Sequence, residues 1–409
     1  MKRADVIIVG AGQAGLALSH CLGRIGIEHA VLERGRIGER WRSQSWHSLR
    51  LLTPNWLNAL PGSPYQGDDP DGFMGKFAFV YRLEAYARRW QAPVECGVEV
   101  LSCRRTGNGF VLETSAGDWL AKAVVVATGH CDQPIIPFAL DAVGGPLSIH
   151  ASRYRSTGEL PPGDVLVVGA SSSGVQIADE LARAGRRVLL SVGKHTRLPR
   201  RWRDRDIFFW LREMGFMTQR PDDLANPDSA RRQPSLQLAG RPDRADVDLA
   251  TLQALGVELT GRVRGIASGG IAFADDLAAQ VASAEAKQTR LLGEIDRFAG
   301  DARPGRREPV IVPSTYARRL SLTDGSIGTI VWATGYARSF KWLEPLTLGA
   351  DGELAHHGGV TSVPGLYALG FRFLRKRDSN FIGGVGTDAR AIAAEVSLYL
   401  DRNGRQAAA

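Results

Sequence analysis

A glycine-rich turn near the start of the sequence has the composition of a loop that binds a diphosphate. Residues 10–15, Gly-Ala-Gly-Gln-Ala-Gly, stand between an apolar run at residues 5–9 and a stretch with helical spacing of leucines. At such a helix N-terminus the first amides lack intrahelical partners, and the helix dipole favours negative charge. Gly10 permits the tight turn, Gly12 the close approach of a phosphate, and Gly15 the packing of helix on strand. We call residues 10–15 the first turn.

An acidic residue completes this pattern. Glu33 ends the next predicted strand, 18 residues after Gly15, where a carboxylate accepts hydrogen bonds from an adenosine ribose. A turn of this kind that opens the chain favours FAD as its ligand.

A second turn repeats the pattern about 160 residues later, at residues 169–174, Gly-Ala-Ser-Ser-Ser-Gly. Ser171 replaces the middle glycine, and Ser172 and Ser173 precede Gly174. The following strand ends at Ser191 rather than at an acid, and basic residues come next: Lys194, His195, Arg197 and Arg200. A carboxylate would repel a 2′-phosphate, whereas positive charge attracts it. The second nucleotide is therefore expected to be NADPH.

Two such strand–turn–helix–strand units predict an α/β fold with two Rossmann-like dinucleotide-binding domains. Apolar strands that end in Ala127-Thr128-Gly129 and Ala333-Thr334-Gly335 bracket the second unit. We therefore expect the NADPH domain to be inserted into the FAD domain. The predicted boundaries are 1–158 for the first part of the FAD domain, 159–329 for the NADPH domain and 330–409 for the rest.

Composition limits the class of protein. Lys plus Arg exceed Asp plus Glu by 51 to 43, but no nucleic-acid-binding motif accompanies the charge, so no nucleic-acid partner is expected. No apolar stretch is long enough to span a membrane, and the first strand leaves no room for a secretory leader, which favours the cytoplasm. The four cysteines form neither a C-x-x-C pair nor a metal-ligand spacing, so no metal site is expected.

Residues 277–298 show helical amphipathic spacing, which predicts packing against the same chain or against a partner, such as a second copy in a homodimer. Residues 200–245 are rich in Arg, Asp and Pro and look like a long irregular insertion.

Several further segments resemble one known family. Residues 41–54 begin with Trp41-Arg42 and contain Leu49 and Thr53, and residues 147–155 read Leu-Ser-Ile-His-Ala-Ser-Arg-Tyr-Arg. Together with both turns and both Ala-Thr-Gly strands, they resemble the class B flavin-dependent monooxygenases, which include flavin-containing monooxygenases and YUCCA-like enzymes. This sequence matches the fingerprint of that family at His150, Tyr154 and Arg155. It departs from the fingerprint at Gly144 and Pro146.

This resemblance implies roles for particular residues. His150, Tyr154 and Arg155 would couple the domains rather than act as acids or bases. The two turns, the residues after their strands and this resemblance together predict one set of cofactor-binding residues. They are Gly10, Gly12, Gln13, Ala14, Gly15, Glu33, Arg34, Trp41, Arg42, Leu49, Thr53, Val100, Ala127, Thr128, Gly129, Gly169, Ser171, Ser172, Ser173, Gly174, Ser191, Lys194, His195, Arg197, Arg200, Ala333, Thr334, Gly335, Phe381 and Ile382.

The resemblance also implies the activity. NADPH would reduce FAD, and one oxygen atom of O₂ would pass through a C4a-(hydro)peroxyflavin to a small organic substrate. Two alternatives stay open: an NADPH-dependent flavin oxidase or reductase that releases hydrogen peroxide, and a non-catalytic nucleotide-sensing subunit. The absence of a C-x-x-C pair argues against a disulfide reductase.

Overall fold

The computed structural model describes residues 1–107, 109–138, 145–267, 269–300, 307–344, 348–349 and 352–407. Gly144, one of the departures from the fingerprint, lies outside these ranges. Within them, no helix is long and apolar enough to cross a membrane.

The helices of the described residues alternate with strands for most of the chain. They are α1 (Gln13–Arg24), α2 (Glu39–Ser43), α3 (Lys76–Arg89), α4 (Ser172–Arg183), α5 (Ile207–Glu213), α6 (Pro227–Arg231), α7 (Leu249–Ala254), α8 (Leu277–Phe298) and α9 (Val385–Ala407). The strands of the first half are β1 (Lys2–Val9), β2 (His29–Glu33), β3 (Val94–Cys96), β4 (Val100–Thr106), β5 (Gly109–Thr114), β6 (Trp119–Val126), β7 (Gln133–Pro134), β8 (Leu147–His150), β9 (Asp164–Val168), β10 (Val188–Ser191) and β11 (Thr196–Arg197). Those of the second half are β12 (Arg201–Trp202), β13 (Arg205–Asp206), β14 (Leu236–Gln237), β15 (Glu258–Thr260), β16 (Val263–Ala267), β17 (Gly270–Phe273), β18 (Arg319–Ser321), β19 (Ile327–Trp332), β20 (Tyr336–Ala337), β21 (Leu343–Glu344) and β22 (Leu366–Ala368).

The first sheet forms around β1, whose apolar residues are buried on both faces. Its order is β21-β4-β5-β6-β1-β2-β3, and β22 pairs with the carboxyl-terminal half of β6. The pairs of β1 with β2 and with β6 are parallel, as a strand–helix–strand unit requires. Helices α1 and α9 pack together beside this sheet.

The second sheet is parallel throughout, in the order β15-β10-β9-β19-β8. Its central strands β9 and β19 are almost completely buried, which fits their runs of Val and Ile. The chain crosses between the sheets twice, and the two crossings meet where β7 pairs with β20. The fold is thus α/β with two dinucleotide-binding units, the second inserted into the first.

The inserted unit is longer at both ends than the boundaries predicted from sequence. Both β8 and β19 belong to the second sheet, so that sheet begins before residue 159 and ends after residue 329. The reason is strand pairing, because β19 lies between β9 and β8 and pairs with both of them. The turn at Ala333, Thr334 and Gly335 therefore follows a strand of the second sheet, not of the first.

The predicted amphipathic helix is confirmed as α8, and its apolar stripe packs within the chain. Leu277 and Val281 join the core of the second sheet, whereas Leu292 and Ile295 pack on the insertion at residues 200–245. The insertion forms the short helices α5 and α6, and its apolar residues also contact Leu52, Trp56 and Leu57 of the first unit. It is an ordered element between the two units.

Candidate functional site

The first turn has the geometry that its three glycines predict. Gly10 has φ +111°, and a Cβ there would lie 2.7 Å from the carbonyl oxygen of Ala127. A Cβ on Gly15 would lie 1.9 Å from the Gly10 carbonyl oxygen. A Cβ on Gly12 would meet no atom within 4 Å, so the turn is open on that side. The amides at the start of α1, including those of Gln13 and Ala14, have no intrahelical acceptor. The arrangement fits a dinucleotide diphosphate.

Glu33 holds this turn from the adjacent strand. Its carboxylate accepts a hydrogen bond from the Ala11 N–H at 2.8 Å and another from the Gly35 N–H at 2.9 Å. Each carboxylate oxygen retains a second lone pair for a ribose hydroxyl. The neighbouring Arg34 is half exposed and lies 3.5 Å from Asp132.

The segment expected to contact flavin, residues 41–54, is held mainly by contacts with α3 and with Asn58. Trp41 packs edge-on against Phe79. Arg42 forms an ion pair with Glu84 of α3, and the Thr53 hydroxyl donates to Asn58 Oδ1. Leu49 packs against the hydrophobic core of the second sheet, and Val100 packs against the hydrophobic core of the first sheet. These contacts hold the segment in place. The positive charge of Arg42 is already neutralised by Glu84.

The residues at the ends of β6 and β22 lie beside the first turn. Ala127 is buried, and Thr128 and Gly129 follow it. A Cβ on Gly370 would lie 2.6 Å from Ala14. Phe371 is buried below the Arg338 guanidinium.

Phe381 and Ile382 stand just before α9. Phe381 contacts Phe208 of the insertion, and Ile382 joins the first core. Both pack as apolar residues at the entry of that helix.

The second turn repeats the first closely. Gly169 has φ +109°, and Gly174 is pressed against the Gly169 carbonyl as Gly15 is against Gly10. Ser171, with φ −84° and ψ −173°, takes the backbone conformation of Gly12, with φ −82° and ψ −172°. The serine substitution therefore leaves the turn unchanged, and Ser172 and Ser173 begin α4.

The predicted phosphate-binding role of Arg197 and Arg200 is wrong. Arg197 is buried and forms an ion pair with Asp248 at 2.6 Å. Arg200 is buried between Phe73 and Phe208, pairs with Asp206 and donates to the Leu52 carbonyl. Both side chains point into the protein because an acid pairs with each of them there and aromatic rings also flank Arg200, so neither is exposed to a 2′-phosphate.

Two other residues after β10 are also turned inward. The Ser191 hydroxyl donates to the Gly261 carbonyl, and His195 is buried, with Nδ1 against the Gly193 carbonyl. Of the basic residues predicted for this site, Lys194 alone is exposed. Arg262, which sequence reasoning missed, flanks Gly193 and pairs with Asp276.

His150 joins the two crossings between the sheets. Its Nε2 lies 3.0 Å from the Gly335 carbonyl, and its Nδ1 accepts the Ser152 N–H at 3.1 Å. Nε2 therefore carries the proton. Burial lowers the pKa of His150, which keeps the imidazole neutral, with both nitrogens in use. This is a positioning role, not that of a base.

Tyr154 and Arg155 tie the second unit to the first. The Tyr154 hydroxyl donates to Glu180 of α4 at 2.8 Å, and the other oxygen of Glu180 accepts from the Ser48 hydroxyl. Arg155 donates to the Ser43 carbonyl and to the Ser152 carbonyl. The helix that begins at the second turn is thereby linked to the segment around Trp41.

A cavity of about 930 Å³ lies between the two units. Ser171, Ser172 and Ser173 line one part of it, and His150, Ala333 and Gly335 line another. It therefore opens at the carboxyl ends of the parallel strands, where ligands bind in open α/β folds.

Sequence reasoning missed several residues of this cavity because they follow strands or belong to the insertion. They are His130, Cys131, Asp228, Arg231, Arg232, Ser235, Tyr336, Arg338, His356 and Arg372. Burial and the nearby Arg372 and Arg338 lower the pKa of His130 to about 3, so its imidazole is neutral. Burial raises the pKa of the Cys131 thiol. The sequence contained a signal for two of these residues, because His130 and Cys131 directly follow an Ala-Thr-Gly strand.

Two glycine-rich turns of this geometry, each between a parallel strand and a helix, define the class of two-dinucleotide-domain flavoproteins. The chain belongs to the pyridine nucleotide-disulphide oxidoreductase family, which matches residues 7–212. It is therefore an oxidoreductase of a flavoprotein family, and such a family implies FAD and a pyridine nucleotide.

Known relatives and solved structures agree with this assignment. The chain is 32% identical to an uncharacterized CzcO-like oxidoreductase of Geobacillus kaustophilus over 96% of this chain and 98% of the relative. It is 33% identical to indole-3-pyruvate monooxygenase YUCCA6 of Arabidopsis thaliana over 46% of this chain and 47% of that one. The fold matches a flavin-containing monooxygenase from Stenotrophomonas maltophilia with a TM-score of 0.68 and 19% identity, covering 98% of this chain and 100% of the other.

Proposed function

We propose that the protein is an FAD- and NADPH-dependent monooxygenase that inserts one oxygen atom from O₂ into a small organic substrate. The observation that carries this proposal is the cavity between the two units, which has the second turn on one side and the His150 crossing on the other. A pyridine nucleotide bound at the second turn would extend into the cleft toward the first.

The residues of the first turn and Glu33 would hold FAD, with Gly12 leaving the space for its diphosphate. When bound, FAD supplies the hydride acceptance and oxygen activation that side chains lack. The protein need only orient the partners and exclude water.

The chain's own residues serve that purpose. Arg155 and the Tyr154–Glu180–Ser48 contacts fix the second turn relative to the Trp41 segment. Neutral His130 and His150 bring no ionised proton donor into the cavity. Because the raised pKa of Cys131 keeps that thiol protonated, it is a poor nucleophile, which argues against disulfide chemistry.

In this proposal NADPH preference rests on Lys194, since Arg197 and Arg200 are buried and Arg262 is paired with Asp276. A 2′-phosphate beyond β10 would meet the Lys194 ammonium. An NADH-specific enzyme would carry an acid at the end of that strand.

The test is a balance of NADPH consumed, hydrogen peroxide released and product formed. The substrate panel contains thioethers, amines, ketones and indole-3-pyruvate, the last because the YUCCA6 relative is named for it. A monooxygenase releases little peroxide when its substrate is present. Stoichiometric peroxide with every substrate would identify an oxidase instead. Absence of NADPH oxidation, with FAD and NADP⁺ bound, would identify a nucleotide sensor.

A further inference from the structure

The insertion places a short segment, residues 231–237, across the cleft, and we call it the strap. Its carboxyl end is held on the second turn. The side chain of Gln237, which is completely buried, donates from Nε2 to the Ala170 carbonyl at 2.6 Å. One residue further on, the Leu238 carbonyl accepts from Gln176 of α4 at 2.8 Å.

The amino end of the strap is held by the first unit. The Gln233 carbonyl accepts from Arg372 Nη2 at 2.8 Å, and Gln233 Oε1 accepts from Arg377 Nη1 at 3.1 Å. Arg377 in turn stacks on Phe216 and Phe373. The strap therefore spans both units at the mouth of the cavity.

Two arginines of the strap line the cavity together with the N-terminus of α4. Arg231 is paired with Asp228, which lines the same cavity, at 2.9 Å. Arg232 is exposed, its backbone N–H donates to the Asp228 carbonyl, and its guanidinium has no hydrogen-bond or ion-pair partner among the described residues. Since the Arg231–Asp228 pair is neutral, Arg232 gives this part of the cavity a net positive charge. It faces the same space as the free amides of a twelve-residue helix.

We propose that Arg232 binds the diphosphate of the pyridine nucleotide, so that the strap closes the nucleotide site over the second turn. A charged guanidinium and a helix N-terminus that line one cavity can both bind the same diphosphate and neutralise its charge. This inference rests on the proposed function and adds a positioning residue from the insertion. The diphosphate is common to NADP⁺ and NAD⁺, which separates Arg232 from any residue that contacts the 2′-phosphate.

Calorimetric titration of the FAD-loaded protein with NADP⁺ and with NAD⁺ tests the proposal. In the Arg232→Gln variant we expect both dissociation constants to rise by the same factor, about tenfold, with FAD content and Tm unchanged. The matched control is Arg220→Gln, an exposed arginine of the same insertion that does not line the cavity. It should bind both nucleotides like the wild type.

Unchanged binding of both nucleotides in Arg232→Gln would overturn this inference and leave the proposed function intact. Weaker binding of NADP⁺ alone would assign Arg232 to the 2′-phosphate and overturn the diphosphate contact. If the wild-type protein binds neither nucleotide, the proposed function and this inference both fail.

Discussion

At the scale of single residues, small side chains in the two turns have separate tasks. Gly10 and Gly169 need positive φ and close contact with the neighbouring strand end, and Gly15 and Gly174 need the absence of a Cβ. Gly12 and Ser171 need neither, because both have an extended backbone that any residue adopts. Only the space in front of them matters, which explains why a serine serves in the second turn.

Replacing Gly12 by valine should therefore strip FAD without unfolding the protein. The backbone tolerates valine, but its methyl groups would occupy the side of the turn that is open in the structure. Flavin absorbance per protein after purification measures the loss. Gly23→Ala, an exposed position on the same helix, should keep full FAD content. Normal occupancy in a folded Gly12→Val variant would remove the first turn from the FAD site.

Among the basic residues after β10, we expect Arg197 to stabilise the fold and Lys194 to contact the nucleotide. Arg197→Ala leaves the Asp248 carboxylate buried without its partner, which should cost about 3–5 kcal/mol in the free energy of unfolding. Preference for NADPH over NADH should not change in that variant. Lys194→Ala should give the opposite result, with an unchanged Tm and a preference for NADPH reduced about tenfold. Thermal unfolding measures the stability of each variant, and steady-state kinetics with NADPH and with NADH measure its nucleotide preference.

At the scale of elements, the N-terminal end of helix α9 contains a carboxyl group, that of Asp388, whose ionised form is disfavoured by burial. Asp388 is completely buried beside the loop that carries Arg375, Lys376 and Asp378. Burial raises its pKa from 3.8 to about 6, and the nearby Ser379 hydroxyl and two cations offset only part of that shift. Ionised Asp388 is thus unfavourable in the folded protein.

The pH dependence of stability follows from the direction of this shift. Between about pH 4 and pH 6 the folded state keeps a proton on Asp388 that the unfolded chain releases, so stability falls as pH rises through this range. The Asp388→Asn variant should not lose stability over this range. Its free energy of unfolding should exceed that of the wild type by about 3 kcal/mol at pH 7 and by almost nothing at pH 4. Urea unfolding at several pH values measures it. Asp401→Asn, on an exposed face of α9, is the control and should give no such slope.

At the scale of the whole molecule, a few contacts set how the two units face each other. Arg155, the Glu180 contacts and the strap all join the second unit to the first. These contacts therefore set the geometry of the cleft, and the proposed reaction would depend on that geometry to bring two cofactors together and to keep water out.

Arg155→Ala should uncouple the reaction without loss of flavin, because its hydrogen bond to the Ser43 carbonyl links the units and lies outside the first turn. We expect normal FAD content and several-fold more hydrogen peroxide per NADPH in the presence of substrate. Arg153→Ala, an exposed neighbour, should behave like the wild type. Loss of FAD in Arg155→Ala would mean that Arg155 supports the flavin site rather than the domain contact.

The sequence by itself determined the two turns, the α/β class and α8, because each depends on local spacing: strand, glycines and helix follow one another within a few residues. It could not determine which basic side chains face a ligand. Residues 194–200 contain only the two-residue strand β11, and the directions of their side chains are set by distant partners such as Asp248 and Phe73. Nor could it give the unit boundaries, since β8 and β19 find their sheet by pairing with strands far away in the chain. The cavity likewise draws His130, Arg232 and Arg372 from remote parts of the chain, and only the tertiary structure brings them together.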